Sequence, residues 1–504
     1  MRSVPAAYGQ IQSVPYRIHS AASTRDNSNE PDNSNKPVSG SNRRGIILGV
    51  CCTALFMVGL DNTIVNVGLP AIGRSLHTSV AGLQWTVAGY TIVLASLLMF
   101  SGAAADRIGR RTIFQVGLAL FTLGSWLCSL APNLDALIAF RVLQGVGGSM
   151  LAPSALGIIT NTFTRPGERA RAIGVWDGVS GLSMALGPVA GGILVGSTGW
   201  RGIFWANIPV GLAAIALTAL LVPDSRAERG RRADPVGQFL VITMLAALTY
   251  AIIQGPSAGW RSPVIAAFFA LALAAFGALL WYEPRRDQPL IDFRFFRSVP
   301  FSASTAVAVC AIATSAGFLF LTTLYLQDVR GFTPLKAGLT LLPMPIMMAV
   351  TAPVAGRMLS KSGPRLPFVI AGTALTLSTA ALSQLSYDSG PLFLTITYGL
   401  FGVGAGIVNP PISNGIMSGV PKSQAGVASG MNSSARQLGQ SLGVAIVGSV
   451  LAASLHGGMA GGFLSAAHAG WWIMACCGYA VLLLGVVSTT QWARATIARA
   501  GADA

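Results

Sequence analysis

The residues of this sequence that could carry chemistry are the few charged side chains inside long apolar runs. Of 17 acidic residues, only Asp61 and Asp177 fall well inside such runs. Of 33 basic residues, only Arg141 and Arg436 do. A charged side chain at the centre of a membrane-spanning helix costs about 3 kcal/mol or more unless it is paired or faces water. We therefore expect all four to face a hydrated cavity or the interior of a helix bundle.

Asp61 and Arg141 are predicted to lie at similar depths. At about 1.5 Å per residue, Asp61 lies roughly 24 Å above the start of its apolar run near Gly45. Arg141 lies roughly 21 Å above the same face. The two side chains can therefore meet. A pair whose partners exchange when the carboxylate takes a proton would couple transport to protons, and a static pair that fixes two helices is the alternative.

Asp177 and Arg436 have several open interpretations. Asp177 could be a second proton carrier, an anchor for a cationic substrate, or a polar group that hydrates a cavity mouth. Arg436 could hold carbonyl groups of a neighbouring helix, attract an anionic substrate, or serve packing alone. Other polar or aromatic residues inside the apolar runs are candidates to line a substrate cavity, and with Arg436 this set is Asn62, Asn66, Gln144, Trp176, Asn409, Asn414, Arg436 and Gln437.

Enzymatic chemistry is not indicated by any motif. The sequence has no P-loop, nucleophile elbow or glycine-rich dinucleotide loop, so we expect no catalytic residue and no cofactor. The six cysteines all fall in apolar runs without metal-ligand spacing, and we expect no metal site. The net charge of +16 comes from arginines scattered among short connections, which argues against nucleic acid as a partner.

Composition places the chain among polytopic all-α membrane proteins. It is 52% hydrophobic and 10% charged, whereas soluble domains carry about 25% charged residues. Runs of about 20 apolar residues, the length that crosses a ~30 Å hydrocarbon core, recur along the chain. They predict 14 transmembrane helices. Trp200, Trp260, Trp471 and Trp472 stand at the ends of predicted spans, and we expect all four in the interfacial aromatic belt.

The connections predict which side is cytoplasmic. Every connection on the side of the amino terminus carries arginine or lysine, as the positive-inside rule requires of a cytoplasmic face. The opposite connections carry far fewer, namely Arg74, Arg201, Arg261, Arg330 and Lys336. Both termini are therefore predicted to be cytoplasmic, in a multi-pass protein of the cell membrane.

A charged turn joins the second and third predicted spans. It runs from Gly102 through Asp106 to Arg111, between two apolar runs, so it must lie at a membrane face. A degraded copy begins at Gly356, and the Gly145–Gly147 segment with Pro153 recurs as Gly402–Gly404 with Pro410. The chain is therefore predicted to hold two similar six-span halves with two inserted spans between them.

The charged turn resembles the signature G-x-x-x-D-R-x-G-R-R/K of the major facilitator superfamily, which also follows the second span there. The resemblance implies that the turn is a conformational latch formed by Gly102, Asp106, Arg107, Gly109, Arg110 and Arg111. A fifth-span motif of antiporters in that superfamily is similar to Gly187, Pro188, Gly191 and Gly192. With its two inserted spans, the whole pattern looks like the 14-span drug:proton antiporter family.

That resemblance implies the major facilitator fold, with two six-helix bundles related by pseudo-twofold symmetry. It also implies proton-coupled efflux of drug-like or antibiotic small molecules by alternating access. Asp61, Arg141 and Asp177 would then carry the protons, and the partners are a small-molecule substrate, protons and membrane lipid. We expect a monomer. A proton-coupled importer or facilitator of a small metabolite is the alternative function.

The sequence divides into five predicted segments. Residues 1–42 are rich in Asn, Ser and Pro and are expected to form a disordered cytoplasmic tail. The remaining segments are an amino-terminal six-helix bundle at 43–222, a linker with two extra spans at 223–298, a carboxy-terminal bundle at 299–491 and a cytoplasmic tail at 492–504.

Overall fold

The computed structural model describes residues 40–226, 234–286, 289, 291–418, 420, 425–455 and 459–502. The first half of the chain forms helices α1 to α7. Their bounds are Gly40–Leu76, Val80–Ile108, Arg110–Leu130, Leu134–Thr162, Pro166–Thr198, Arg201–Trp205 and Asn207–Leu221. Helices α6 and α7 together make the sixth span.

The insert and the second half follow the same pattern. Helices α8 and α9 are Pro235–Ala258 and Pro263–Tyr282, and α10 is Val299–Leu324, which continues as a π-helix, Tyr325–Val329. Helices α11 to α17 are Pro334–Thr340, Pro343–Ser362, Arg365–Leu382, Pro391–Ser418, Ala425–Ser454, Met459–Ser488 and Gln491–Ala502. Most of the predicted disordered tail, residues 1–39, lies outside the described residues, and α1 already begins at Gly40.

Fourteen helical segments of the described residues are long and apolar enough to cross a membrane, which confirms the predicted count. Because the number is even, the start of α1 and the end of α16 lie at the same face. We call that face the terminus face and the opposite one the distal face. The final helix α17 begins at Gln491, at the terminus face, where the sequence predicts a cytoplasmic tail.

The two halves repeat one packing scheme. In the first half the main neighbours are α1 with α5, α2 with α4, and α3 with α4. The second half pairs the corresponding helices, α10 with α15, α12 with α14, and α13 with α14. Glycines permit the same close crossing in both. A Cβ added at Gly147 would lie 2.7 Å from the Gly117 carbonyl oxygen, and one at Gly404 would lie 3.0 Å from that of Ala371.

The inserted helix α8 lies along the contact between α2 of the first half and α15 of the second. Gln238 Nε2 of α8 donates to the Ser96 carbonyl of α2 at 2.5 Å. Ser449 Oγ of α15 donates to the Ile252 carbonyl of α8 at 2.5 Å. The insert is therefore bonded to both halves. Contacts between α9 and α8 complete this pair of helices.

The expectation that Trp200 and Trp471 lie in the interfacial belt is wrong. Their exposed fractions are only 4% and 2%. Trp200 packs edge-on against Phe204, and Trp471 packs against Phe318. Both side chains belong to the protein core because their span ends are covered by neighbouring helices.

We predict that Gly147→Leu destabilises the protein while Gly277→Leu does not. A leucine at Gly147 must displace the backbone of α3, since an added Cβ would lie 2.3 Å from the Phe121 nitrogen. Overpacking of this kind costs about 1–3 kcal/mol or more. At Gly277 of α9 an added Cβ meets no described atom within 4 Å. Thermal unfolding in detergent would measure both, and equal melting temperatures would contradict the packing scheme.

Candidate functional site: a buried ion pair beside a central cavity

Asp61 and Arg141 form a direct ion pair inside the first half. Arg141 Nη1 lies 2.6 Å from Asp61 Oδ2, and the two side chains are 1% and 0% exposed. Asp61 lies on α1 and Arg141 on α4, so the pair joins two spans, and the two side chains meet as the sequence predicts. Because both charges are removed from water, each depends on the other for compensation.

Other polar groups complete this pair into a network. Arg141 Nη1 also donates to Gln144 Oε1 at 2.7 Å, and Arg141 Nε donates to the Thr86 carbonyl at 3.1 Å. Gln144 Nε2 donates to Asp61 Oδ1 and to Ser125 Oγ, each at 2.9 Å. We call Asp61, Arg141, Gln144 and Ser125 the buried network. Both carboxylate oxygens of Asp61 are thus held by donors on α4.

Aromatic and polar neighbours enclose the buried network. The Arg141 guanidinium carbon lies 4.2 Å from the ring centre of Tyr90 and 5.8 Å from that of Phe204. Asn207 Nδ2 donates to Ser125 Oγ at 3.3 Å, which connects the sixth span. Cation–π contacts of this kind are worth more when they are desolvated. Five spans therefore hold the arginine in one orientation.

A central cavity lies between the two halves. It is lined from both halves, by Thr63, Met184, Ala185, Pro188, Ala311, Ile312, Ser315, Leu319, Met344, Pro345, Met348, Ala405, Val408, Asn409 and Arg436. Its enclosed part is small, about 30 Å³, which is room for water and not for a drug-sized molecule. Three methionines in the wall are flexible enough to move aside for larger guests.

Arg436 supplies the fixed cation of the cavity wall. Its Nη1 donates to Asn409 Oδ1 at 2.5 Å, across from α15 to α14. Asn62 of α1 accepts a 3.3 Å hydrogen bond from Gln440 of α15. Polar groups of the two halves therefore meet around the cavity.

Asp61 and the cavity are neighbours through about half a turn of α1. Asp61 points into the first bundle, whereas Thr63, two residues on, lines the cavity. A movement of α1 that follows a change at Asp61 must therefore change the cavity wall. This is the shortest covalent route between the buried network and the cavity.

The fifth-span motif packs on two different partners. Gly187 and Gly191 face α1, where added Cβ atoms would meet Thr63 Oγ1 and, at 3.0 Å, Val67 Cβ. An added Cβ at Gly192 would lie 2.7 Å from the Pro334 carbonyl oxygen of α11. The Pro188 carbonyl also faces α11, because a Cβ at Gly338 would lie 2.3 Å from it. The motif therefore forms a seam between α5 and the second half.

That seam is part of a closure at the distal face. Arg74, at the end of α1, pairs with Asp328 of the π-helix at 2.7 Å. Gln327 Nε2 donates to the Val67 carbonyl at 2.9 Å. Side chains of both halves share one apolar core around these contacts. The distal side of the central cavity is therefore sealed.

Toward the terminus face, α5 separates from the second half. Asp177 is exposed although it lies within a span. Added Cβ atoms at Gly174, Gly178 and Gly181 would meet no described atom within 4 Å, and neither would one at Gly356 of α12. The structure is thus closed at the distal face and open along α5 at the terminus face.

The seam between α2 and α15 stays closed along its length. Near the distal face, Gln84 Nε2 donates to the Val444 and Ala445 carbonyls at 3.1 and 2.7 Å. Farther toward the terminus face, Ser434 Oγ donates to the Ala95 carbonyl at 3.4 Å. An added Cβ at Gly430 would lie 3.5 Å from Met99 Cγ. The α2–α15 seam is therefore closed toward both faces, whereas the α5 seam is closed only toward the distal face.

The charged turn organises the terminus face of the first half. Asp106 accepts two hydrogen bonds from Arg110, at 2.9 and 3.1 Å. Arg110 Nη1 also donates to the Gly157 carbonyl of α4 at 3.1 Å, and Arg111 Nη2 donates to the Ala219 carbonyl of α7 at 2.6 Å. Gly109 has a φ of 136°, a conformation that favours glycine.

The turn's remaining predicted residues differ in their contacts. An added Cβ at Gly102 would make an ordinary 3.5 Å contact with Pro153 of α4. Arg107 is exposed, and no partner of its side chain occurs among the described residues. Within that part of the chain, the hydrogen bonds made by the side chains of the turn stay inside the first half.

The predicted cavity residues divide into four groups. Asn409 and Arg436 line the cavity, whereas Asn62, Gln437 and Trp176 are partly buried outside its lining. The placement of Gln144 in the cavity is wrong, since it is fully buried in the buried network. Asn66 is also buried and donates back to the Asn62 carbonyl. Asn414 is exposed near the end of α14.

Sequence reasoning missed Tyr90, Ser125, Asn207 and the Arg74–Asp328 pair. The first three are uncharged residues with no distinctive spacing in the sequence. The pair had a signal, because Arg74 and Asp328 are 254 residues apart, which matches the separation of Gly102 and Gly356. They occupy corresponding positions in the two halves.

Known proteins resemble the chain over most of its length. The family model for the Major Facilitator Superfamily matches residues 51–444. The chain is 40% identical to the tetracenomycin C resistance and export protein of Streptomyces glaucescens over 79% of this chain and 74% of the relative. It is 37% identical to the multidrug resistance protein Stp of Mycobacterium tuberculosis over 80% and 74%.

Solved structures share the fold. A bacterial homologue of the human lysosomal transporter Spinster has a TM-score of 0.62 at 17% identity, covering 91% of this chain and 98% of that one. The match of the family model and the relatives agree with the two repeated bundles described above. This chain belongs to the major facilitator superfamily.

Proposed function

We propose that the protein is a proton-coupled antiporter that exports antibiotic-like small molecules across the cell membrane. The observation that carries this proposal is the buried Asp61–Arg141 pair, two residues along α1 from the cavity-lining Thr63. Relatives named for antibiotic resistance and export support the cargo class. A growth-inhibition panel of antibiotics in an efflux-deficient host tests it, and no change in tolerance to any compound would contradict it.

The proposal also includes the orientation of the protein, with the terminus face in the cytoplasm. The terminus face carries the charged turn and the exposed arginines of the connections, as a cytoplasmic face should. The open side of the cavity then faces the cytoplasm, from which an exported molecule must enter. Asp177, exposed in that opening, is a second candidate to carry a proton.

The proposed coupling uses the charge balance of the buried network. Protonation of Asp61 would remove the charge that compensates Arg141, and a lone buried guanidinium costs several kcal/mol. The network must then rearrange, and α1 carries that change to Thr63 and the cavity. Binding of a proton and of substrate thereby favour different arrangements of the same helices, as exchange by alternating access requires.

We predict that Asp61→Asn abolishes concentrative efflux but keeps substrate binding. Asparagine has nearly the same shape but cannot take up a proton, so a pH gradient no longer drives the rearrangement. Uptake of tetracenomycin C into inverted vesicles under an imposed pH gradient would measure it. The control is Asp135→Asn at the distal start of α4, which should transport normally. Wild-type accumulation by Asp61→Asn would assign the coupling to another group, such as Asp177.

Arg141→Lys should lower efflux by roughly ten- to a hundredfold. Lysine keeps the charge but cannot serve Asp61, Gln144 and the Thr86 carbonyl from one planar group, and each unpaired buried group costs about 1–3 kcal/mol. The matched control is Arg357→Lys, an exposed residue of α12. The same vesicle assay measures both variants, and undiminished efflux by Arg141→Lys would contradict the role of the network geometry.

Asp106→Asn should reduce transport about tenfold or more while the protein still inserts. The change weakens two charge-assisted hydrogen bonds from Arg110, which is the arginine that ties the turn to α4. Arg169→Gln, at an exposed residue near the start of α5, should have little effect. Membrane abundance is measured beside transport, and equal transport by the two variants would argue against the latch.

A further inference from the structure

A second cavity lies far from the central one, on the outer surface of the first half between α1 and α7. It has a volume of about 500 Å³. Its lining is almost wholly apolar, and consists of Ile46, Gly49, Val50, Thr53, Pro209, Val210, Ala213, Ala214 and Leu217. The only hydroxyl, that of Thr53, already donates to the Gly49 carbonyl at 2.9 Å. We call this cavity the α1–α7 crevice. Its walls suit an apolar chain.

The position of the α1–α7 crevice matches one leaflet of a bilayer. The lining stretches 46–53 and 209–217 each rise roughly 10–12 Å along their helices, within half of a ~30 Å hydrocarbon core. Gly49 leaves the crevice open, because an added Cβ there meets no described atom within 4 Å. The side chains at its rim are exposed aliphatic groups such as Ile46 and Leu217.

Arginines stand at the terminus-face end of the α1–α7 crevice. Arg43 Nε donates to the Leu221 carbonyl at 3.2 Å, and Arg111 Nη2 donates to the Ala219 carbonyl. Both guanidinium groups are thereby fixed beside the last turn of α7. Arg44, next along α1, has a side chain that is 52% exposed. Guanidinium groups bind phosphate oxygens well because their N–H groups form a planar fork.

The nearby acidic charges do not neutralise this end. Glu168 lies 3.6 Å from Arg44, but it is shared with Arg165 at 3.3 Å. Asp224, three residues beyond Leu221, lies 3.9 Å from Arg226. Within the described part of the chain, the mouth therefore keeps a positive balance. A zwitterionic lipid gains less from such a mouth than one with a net negative head group.

From these contacts we propose that the α1–α7 crevice is a binding site for an anionic glycerophospholipid. One acyl chain lies between α1 and α7, and the phosphate lies against Arg43 and Arg44. The bound lipid fills the gap beside the helix that carries Asp61. This proposal stands independently of the transported substrate.

Native mass spectrometry of the full chain, released from membranes and supplied with phosphatidylglycerol or phosphatidylcholine, tests the site. The wild type should retain phosphatidylglycerol with a preference of roughly 10- to 30-fold, as two arginines near the surface would give. Gly49→Phe, which fills the crevice, should lose retention of both lipids. The double variant Arg43→Gln and Arg44→Gln should lose the preference for phosphatidylglycerol.

Two controls separate this site from general lipid contact. Gly277→Phe adds the same side chain to α9, where an added Cβ also meets no described atom. Arg285→Gln with Arg286→Gln removes two charges from the connection after α9. Both controls should behave as the wild type does. Unchanged retention in Gly49→Phe, or an equal loss of preference in the arginine control, would overturn the proposal.

Discussion

The constraint on which the structure depends is that a carboxylate and a guanidinium, both removed from water, must compensate each other. Asp61 and Arg141 can do so only if α1, α2, α3 and α4 bring Gln144, Ser125 and the Thr86 carbonyl to fixed places. Breaking a buried pair costs about 3–5 kcal/mol, so the bundle is sensitive to any change of charge there. Because Thr63, two residues along the same helix, lines the cavity, that sensitivity is suited to coupling.

The two seams between the halves differ in how many hydrogen bonds hold them together. The α2–α15 seam carries hydrogen bonds over its length, and α8 is bonded to both of its helices. The α5 seam is closed only near the distal face, around Pro188 and Gly192. A movement that opens the α5 seam would therefore break fewer hydrogen bonds than one that opens the α2–α15 seam. The close approaches of Gly187 and Gly191 to α1 place the helix that carries Asp61 next to the α5 seam.

Much of the fold could be predicted because the length and spacing of apolar runs determine which residues span the membrane. Apolar runs predict the 14 spans, and the repeated glycine pairs predict two similar halves. Distance along a helix predicts that Asp61 and Arg141 lie at the same depth. Distance along a helix does not say which way a side chain points. Gln144 was therefore assigned to the cavity although it faces Asp61. The prediction of an interfacial position for Trp200 and Trp471 is wrong because a span end does not reveal which helices cover it.

The central claim is that the charge of Asp61 links proton movement to substrate movement, and the most direct measurement follows both fluxes in the same proteoliposomes. A downhill gradient of a compound to which the protein confers tolerance in the growth-inhibition panel is imposed while an internal dye reports pH. The wild type should move protons against the flow of the drug. Asp61→Asn should pass the drug without moving protons. Proton movement that persists in Asp61→Asn, in proportion to drug flux, would contradict the account.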